Sequence, residues 1–282
     1  MIHTKDLSVI VVSHGHENLL PACLESLGRA LEGVSAEILL VDNLPTGQMA
    51  PILAGLTVPA RLIENARPLG LARNLNLAAA AAVGQHLFIL NPDTEHRSGR
   101  IADALRFLTE RPEIGMLGCT LLNSDGSPQQ SFRRFPTIAF MVAKVLMAER
   151  WGWQPAFFRR GLMAGERSDG PHPVDWVYGA AMMLRRSVYL GVGGMDEGFR
   201  LYYEDVDLAW RLRQSGLQNW LYTDLCFDHA HQRTSARNPF GQEWRWHVRS
   251  GLRYLWKTRG RAPMAGSPPT TSVAANSGQQ RS

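Results

Sequence analysis

Three carboxylates near the middle of the chain stand at a spacing that suits acid–base chemistry. Glu204, Asp205 and Asp207 lie in the segment YYEDVDLAW, and a helix-like run follows them. Acids at a helix N-terminus stabilise the helix by capping it and by interacting with its dipole. The same dipole keeps a carboxylate ionised, as a base that removes a proton from a hydroxyl group must be. This segment alone is compatible with a capped helix and with a catalytic base.

Polar residues also stand directly after three hydrophobic segments in the first hundred residues. Ser13 follows LSVIVV, and Asp42 follows EILLV. Asn91 and Asp93 follow HLFIL. If these segments are neighbouring parallel strands, their carboxyl ends meet at one edge of a sheet, where α/β proteins bind ligands. Each position alone is typical of a polar loop, but three such strand ends in succession favour a binding site.

The hydrophobic pattern predicts the α/β fold that would bring these residues together. The apolar runs are continuous, as in strands buried on both faces, and segments with helical periodicity separate them. We therefore expect a Rossmann-like, mostly parallel sheet with helices on both faces. The predicted strands are residues 7–12, 37–41, 61–64, 86–90, 115–122 and 174–184. The predicted helices are residues 17–31, 70–83, 100–109, 137–150 and the run at 208–212.

The sequence lacks the glycine-rich signatures of two large nucleotide-binding classes. No G-x-G-x-x-G follows the first predicted strand, and G-x-x-x-x-G-K-[ST] occurs nowhere in the chain. The dinucleotide-binding and P-loop classes therefore have no support from the sequence. A nucleotide site of another kind must neutralise phosphate differently, and a divalent cation held by carboxylates would do so.

Composition and charge narrow the class of protein and its compartment. The 282 residues are 45% hydrophobic, and the formal net charge is +5. Such charge suits phosphate-bearing ligands and anionic membranes, and no nucleic-acid-binding motif accompanies it. The three cysteines form neither a disulfide framework nor a metal motif, and no apolar run approaches the roughly 18 residues of a spanning helix. We expect a cytoplasmic protein, free or peripheral on the inner face of the plasma membrane.

Six segments carry a resemblance to a known family. They occur in the order LSVIVVSHG, EILLVDN, LIENARPLGLARNLNLA, FILNPDT, VYGAAMMLRRSVYLGVGGMDEGFRLYYEDVDLAWRLRQSG and FDHAHQRTS. In this order they resemble the family-2 glycosyltransferases of the GT-A fold, and most closely the bacterial rhamnosyltransferase-like enzymes of cell-surface polysaccharide assembly. The resemblance covers about residues 7–256. His14-Gly15, Leu71 and Asn91 depart from the family pattern, in which Tyr-Asn, Phe and Asp are usual.

The resemblance implies a reaction and its catalytic residues. It implies an inverting, metal-dependent transfer from a nucleotide-sugar, with dTDP-rhamnose the first donor to consider and UDP- or GDP-sugars left open. Asp205 is the implied general base, and Glu204 is the second candidate or orients the acceptor. Asp93 and His229 are the implied ligands of Mg²⁺ or Mn²⁺, with His231 a weaker alternative. Asp207 is expected to be structural, through a cap or an i, i+4 pair with Arg211.

The resemblance also implies two binding regions within one domain. Nucleotide-sugar binding falls to Ser13, Asp42, Gly70, Asn76, Asn91 and Asp93. The acceptor side falls to Trp176, Tyr178, Gly179 and Glu204, and the acceptor is a saccharide or a lipid-linked saccharide. We expect one GT-A domain at residues 1–261, with a nucleotide-sugar half at 1–122 and an acceptor-side, catalytic half at 123–261. Residues 262–282 lack large apolar side chains and are expected to form a disordered tail.

Two other functions and one further contact remain open at this stage. A non-catalytic nucleotide-sugar-binding or scaffold protein on the same fold is the main alternative. An unrelated α/β oxidoreductase is the second, and the missing glycine fingerprint argues against it. Basic and aromatic residues near 150–160 and 244–259 also suit peripheral contact with an anionic membrane.

Overall fold

The structure is a computed structural model that describes residues 5–45, 47–145, 156, 159, 161, 170–230 and 241–260. His231, most of the aromatic segment at 151–160 and the expected tail lie outside these residues. The strands are β1 Lys5–Ser13, β2 Ala36–Asp42, β3 Ala60–Glu64, β4 Gly84–Leu90, β5 Thr94–Ser98, β6 Ile114–Leu122, β7 Pro128–Gln129, β8 Phe132–Arg133, β9 His172–Val174, β10 Trp176–Val177, β11 Ala181–Arg185 and β12 Gln218–His229. The helices are α1 Leu20–Ala30, α2 Met49–Ala54, α3 Leu71–Ala81, α4 Ile101–Glu110, α5 Ile138–Val145, α6 Arg186–Gly191, α7 Glu204–Gln214 and α8 Gln242–Thr258.

One large, mostly parallel sheet organises the described part of the chain. Its strand order is β3-β2-β1-β4-β11-β6-β12-β5, and β7 and β9 pair with β6 and β12. The first four strands are mutually parallel, and β6 is parallel to β12. Strand β11 runs antiparallel between β4 and β6. In the β1–β2 register Ser13 lies opposite Asp42, so both strands end at the same edge of the sheet.

Both faces of the sheet are buried under helices, which explains why the strands are hydrophobic throughout. Val9 and Val11 belong to a core that includes residues of α1 and α4. Ile10, between them, belongs to a second core with residues of α3, α7 and α8. Successive strand residues point to opposite faces, so a strand covered on both sides needs apolar side chains at every position. The structure confirms the predicted α/β architecture, a mostly parallel sheet with helices on both faces.

The predicted strand at residues 174–184 is wrong in extent, because the chain changes partners twice there. Strand β9 pairs with β12, β10 pairs with β8 in a separate two-stranded sheet, and β11 pairs with β4 and β6. At the first break Asp175 Oδ2 accepts a hydrogen bond from Phe135 N at 2.9 Å. At the second, Tyr178 N donates to Ser131 O at 2.9 Å, and the turn at 178–180 leads into β11. Strand β5 and the long strand β12 were not predicted.

Candidate active site

The ends of β1 and β2 form the first part of the site. Ser13 and Asp42 are fully buried at this edge. Asp42 Oδ1 accepts a hydrogen bond from Leu44 N at 3.1 Å. Its other carboxylate oxygen, Oδ2, is buried without a hydrogen-bond partner among the described residues. Because a buried acceptor without a donor is costly, Asp42 Oδ2 marks a position where a ligand N–H or O–H group would be stabilised.

Three asparagines behind this edge hold the end of β2 against the start of α3. Asn43 Oδ1 accepts hydrogen bonds from Asn65 Nδ2 and Leu69 N, both at 2.8 Å. Asn65 Nδ2 also donates to Asn74 Oδ1 at 2.6 Å, and Asn43 Nδ2 donates to His14 Nδ1 at 3.0 Å. Sequence reasoning did not select Asn65 or Asn74, although both lie in the segment LIENARPLGLARNLNLA. The available signal was an amide directly after a predicted strand, at Asn65, and another in a helix rich in leucine and alanine, at Asn74.

Asp93 and His229 meet at the opposite side of the same edge. Strand β5 starts directly after Asn91-Pro92-Asp93 and runs antiparallel to β12, which brings Thr94 opposite His229. Ala230 N also donates to Asp93 O at 3.0 Å. As a result Asp93 Oδ1 lies 3.4 Å from His229 Nε2, and both side chains are largely buried. Burial acts to raise the pKa of Asp93, but the hydrogen bond and charge that the protonated form of His229 supplies outweigh it and lower that pKa.

Gln129 determines which nitrogen of His229 faces Asp93. Gln129 Nε2 donates to Asn123 Oδ1 at 3.0 Å and to the backbone oxygen of His229 at 3.3 Å. Because a backbone oxygen only accepts, the amide orientation is fixed, and Gln129 Oε1 is the atom 2.6 Å from His229 Nδ1. That nitrogen must then carry the proton. In the neutral ring, Nε2 presents its lone pair to the Asp93 carboxylate.

Asp93 Oδ1 and His229 Nε2 are two acceptor atoms that face each other, so a cation or a proton between them would be stabilised by both. A carboxylate and an imidazole Nε2, with Nδ1–H held by a further side chain, is the usual arrangement around a protein-bound metal ion. The donor set therefore suits a divalent cation. Among the described residues, no group of three or more His, Cys, Asp or Glu side chains could hold a metal ion. A cation at this pair would need further oxygen ligands from a bound molecule or water.

The segment before α7 aims the two catalytic candidates. Tyr202 and Tyr203 both have φ of +68°, a left-handed conformation that is unfavourable for bulky residues. Tyr203 is the N-cap of α7 and makes no side-chain capping hydrogen bond. Glu204 and Asp205 thus lie in the first turn of α7 and not at its cap, at the end of the helix where the dipole favours carboxylates.

Asp205 and Glu204 have different surroundings. Asp205 Oδ2 accepts from Gly179 N at 3.0 Å, and its Oδ1 accepts from Val206 N at 2.8 Å. Glu204 is buried, and its Oε2 has no hydrogen-bond partner in the described region. Burial and the charge of Asp205 raise the pKa of Glu204. Burial also raises the pKa of Asp205, against the two backbone N–H groups that favour its charged form. The pair is therefore arranged so that the negative charge is favoured on Asp205 and the proton on Glu204.

A short chain of contacts joins this pair to the strand ends. Gly179, which donates to Asp205, precedes Ala180, whose backbone oxygen accepts from Asn91 N at 2.8 Å. The rings of Trp176 and Tyr178 stack on each other with centroids 5.2 Å apart, and both residues are half-buried. Two hydrogen bonds through the adjacent residues Gly179 and Ala180 therefore connect Asp205 to Asn91 at the strand ends.

Comparisons with known proteins show which family the chain belongs to. Residues 8–190 match the model of the family described as "Glycosyl transferase family 2". The chain belongs to glycosyl transferase family 2. It is 26% identical over 263 residues to "Rhamnosyltransferase WbbL" of Escherichia coli K12, covering 89% of this chain and 93% of that protein. It is 29% identical to the "N-acetylglucosaminyl-diphospho-decaprenol L-rhamnosyltransferase" of Mycobacterium tuberculosis H37Rv, covering 77% of this chain and 73% of that protein.

Solved structures show the same fold at low sequence identity. A crystal structure of GalNAc-T7 with UDP, GalNAc and Mn²⁺ superposes with a TM-score of 0.65 and 16% identity, covering 91% of this chain and 48% of that one. A mannosyltransferase from Pyrobaculum calidifontis, in complex with GDP-Man and Mn²⁺, gives a TM-score of 0.60 at 16% identity, covering 93% of this chain and 67% of that one. The chain therefore spans about half of the first of these two proteins.

Asn76 and Gly70, which the family motif implied for nucleotide-sugar binding, contact the protein's own backbone in this glycosyltransferase. The amide of Asn76 bonds both backbone polar groups of Met195, at 2.9 Å each, and accepts from Tyr189 Oη at 2.7 Å. Gly70 lies against the backbone of Arg200, whose oxygen would be 3.3 Å from an added Cβ. Both residues hold α3 to the loop at 193–200. Their contacts support a structural role, so we leave them out of the donor site.

The remaining acid of the YYEDVDLAW segment is structural. Asp207 is fully buried, and its Oδ2 accepts from Arg211 Nε at 2.8 Å, which is the expected i, i+4 pair. Its Oδ1 lies 2.5 Å from Lys257 Nζ on α8. Lys257 also contacts Asp196 at 2.6 Å. These ion pairs join the helix that carries Asp205 to the C-terminal helix.

Proposed function

We propose that this glycosyltransferase transfers a sugar from a nucleotide-sugar donor, with a divalent cation and with inversion, to a saccharide or lipid-linked saccharide acceptor. The observation that carries the proposal is the approach of Asp93 Oδ1 and His229 Nε2 to 3.4 Å at the carboxyl edge of the sheet. A carboxylate and an imidazole held this way suit Mn²⁺ or Mg²⁺, and a diphosphate is the natural source of the missing oxygen ligands.

In the donor half, the strand ends bind the nucleotide. Asp42 Oδ2, buried without a partner among the described residues, accepts a hydrogen bond from the base or ribose. Ser13 lies beside it in the strand register, and Asn91 lies next to the cation pair. Asp93 and His229 would hold the cation, which would supply positive charge to the diphosphate leaving group.

In the acceptor half, Asp205 is the general base. Its carboxylate takes the proton from the acceptor hydroxyl as that oxygen attacks the anomeric carbon from the face opposite the diphosphate. The two backbone N–H groups hold it in place, and Glu204, as the protonated neighbour, orients the acceptor. Trp176 and Tyr178 line the acceptor side next to Gly179.

The donor sugar and pathway are proposed from the named relatives. Two of them are named rhamnosyltransferases, and another similar protein, from Myxococcus xanthus, is named "O-antigen biosynthesis protein RfbC". We therefore propose L-rhamnose from dTDP-rhamnose as the transferred sugar, and cell-surface polysaccharide synthesis as the pathway. The enzyme would then work at the cytoplasmic side of the plasma membrane, because nucleotide-sugars are made in the cytoplasm.

The test compares donors and cations in one assay. Purified full-length chain is mixed with dTDP-rhamnose, UDP-GlcNAc, UDP-Gal or GDP-Man, with Mn²⁺, Mg²⁺ or EDTA, and thermal shift and donor turnover are recorded. We expect stabilisation by dTDP-rhamnose that EDTA abolishes, and that Asp93→Ala and His229→Ala both lose. Stabilisation by a UDP- or GDP-sugar alone would overturn the rhamnose assignment. Equal stabilisation with and without EDTA would overturn the cation role.

A further inference from the structure

The C-terminal helix α8 has two faces of opposite character. Its inner face buries Ser250, Gly251, Tyr254 and Thr258 against the protein. Its outer face is a stripe of exposed residues at alternating spacings of three and four: Gln242, Arg245, Arg249, Leu252, Trp256 and, just after the helix, Arg259. This spacing follows one side of an α-helix. The described side chains of the stripe include three arginines and no acid.

The apolar members of this stripe are unusually exposed. Trp256 is 76% exposed and Leu252 is 63% exposed, one helical turn apart. Helix α5 lies beside α8, because a Cβ added at Gly251 would be 2.5 Å from Met141 Cε and one at Gly260 would be 2.7 Å from Ile138 Cδ1. Ile138 is itself 53% exposed. Single exposed apolar residues are ordinary, but a group on adjacent helices indicates an interaction surface.

The combination of charges and side chains identifies the partner. A helix that lies in a lipid interface carries tryptophan and leucine on the side that enters the acyl region, with arginine beside them to meet anionic headgroups. We propose that the outer stripe of α8, with Ile138 and Val142 of α5, is a docking surface for an anionic lipid membrane. Among the described helices, none has the length and hydrophobicity of a membrane span. The proposed contact is made by the side of α8, at the membrane surface.

The position of α8 gives this surface a consequence for the site. On the inner face, the ring of His247 lies 5.0 Å from that of Tyr202 and 5.3 Å from that of Tyr203. Ser250 Oγ also donates to Leu201 O at 2.8 Å. The helix that would dock on the membrane therefore holds, from behind, the segment that leads into Asp205. Docking on this surface would present the acceptor side of the cleft in a fixed orientation to molecules embedded in the membrane.

Vesicle sedimentation with matched variants tests this surface. The 282-residue chain is incubated with vesicles of phosphatidylcholine alone or with vesicles that contain about 30% phosphatidylglycerol, an anionic lipid. Each mixture is measured at low and at high salt. We expect binding only to the anionic vesicles, and weaker binding at high salt. Arg249→Ala should weaken binding about fivefold, and the double variant Arg249→Glu, Trp256→Glu should weaken it at least about tenfold.

A second double variant separates this surface from general positive charge. Arg106→Glu, Leu190→Glu makes the same change of charge at exposed positions on α4 and α6, and should bind vesicles within about twofold of the unmodified chain. Equal losses in the two double variants, or no binding of the unmodified chain to anionic vesicles at low salt, would overturn the proposal. Ultracentrifugation gives a further test. If the chain forms a concentration-dependent dimer that Trp256→Glu abolishes, and the same change leaves vesicle binding unaffected, the stripe joins two copies of the chain and the proposal is overturned.

Discussion

The proposed donor edge, with Asp42 and Asp93, and the proposed acceptor side, with Glu204 and Asp205, carry similar charged groups. The two regions differ in the structure that supports them. Asp42 is the last residue of β2 and Asp93 directly precedes β5, so the pairing register of the sheet sets their positions. Glu204 and Asp205 start a helix after two tyrosines in the left-handed conformation, beside a chain that changes sheets twice. The donor edge is therefore a product of the regular fold, whereas the acceptor side is held by contacts specific to this chain.

The difference shows where strain is tolerated. Each left-handed tyrosine costs on the order of 1–2 kcal/mol relative to ordinary backbone. The surrounding contacts must offset that cost, and here they are the packing of α8 on both tyrosines and the ion pairs of Asp196 and Asp207. Variants that separate the two regions therefore test whether the acceptor side depends on these supports and the donor edge does not.

The largest effect is expected from Asp205→Asn. Without an ionised carboxylate the acceptor hydroxyl keeps its proton, so the turnover number should fall about 10²–10⁴-fold. Donor affinity, measured by calorimetry, should stay within about twofold, because the donor edge does not include this residue. Asp224→Asn, at an exposed position on β12, is the matched control and should keep full turnover. An Asp205→Asn enzyme with near-normal turnover would remove the base assignment.

A large loss of stability is expected from Lys257→Met. This change leaves the fully buried Asp207 with Arg211 as its remaining ionic partner, and breaking a buried pair costs about 3–5 kcal/mol. We expect the lower end of that range in urea unfolding, since Arg211 remains. Arg29→Met removes an exposed pair with Glu25 and should cost less than about 1 kcal/mol. Similar losses in the two variants would contradict a special role for the buried network.

A smaller effect is expected from Gln129→Leu, on the donor edge. Without the amide oxygen of Gln129, the His229 ring is free to adopt the other tautomer or to rotate. The affinity for Mn²⁺ should then fall about 10–100-fold. Paramagnetic resonance of free Mn²⁺ measures this without turnover. Gln129→Glu keeps an acceptor for Nδ1–H and should retain the affinity. If both variants lost it equally, Gln129 would be acting through packing and not through His229 Nδ1.

The smallest effect is expected from the pH dependence of Glu204→Gln. Because burial raises the pKa of Glu204 in the folded chain, the folded state holds a proton that the unfolded state releases above about pH 4.5. Native stability should therefore decline as pH rises from about 4.5 through neutral, and glutamine should remove the part of this decline that belongs to Glu204. The melting temperature of the variant should exceed that of the unmodified chain by a few degrees at pH 8, with no gain at pH 4. A constant difference across this range would contradict the raised pKa.

Much of the donor edge was predictable because its strands are hydrophobic on both faces. Continuous apolar runs indicated β1, β2 and β4, and the polar residues after them fell at the edge as expected. Strand β5 was missed because its sequence, TEHRS, is polar and largely exposed, so no hydrophobic pattern marks it. The pairing of β5 with β12 therefore had no signal in the pattern, and His229 was reached through the family resemblance.

The acceptor side was less predictable because its geometry depends on distant contacts. The acids of α7 were visible in the sequence, and the pair of Asp207 with Arg211 followed from helical spacing. The left-handed tyrosines were not, since tyrosine has no preference for that conformation. Gln129 was also missed, because an amide in a short polar hairpin resembles any surface residue until its partner is known.

The pairing of β5 with β12 would also link the proposed cation binding to the completion of folding. Asp93 and His229 are more than a hundred residues apart in the chain, and β12 is the last strand along the described part of the chain. A contact of such long range forms late, after its loop-closure entropy has been overcome. A partly folded chain with β12 undocked would therefore lack the cation pair while its first strands were already in place. High-affinity cation binding would belong to the fully assembled sheet, and by mass action the cation would favour that state over incomplete ones.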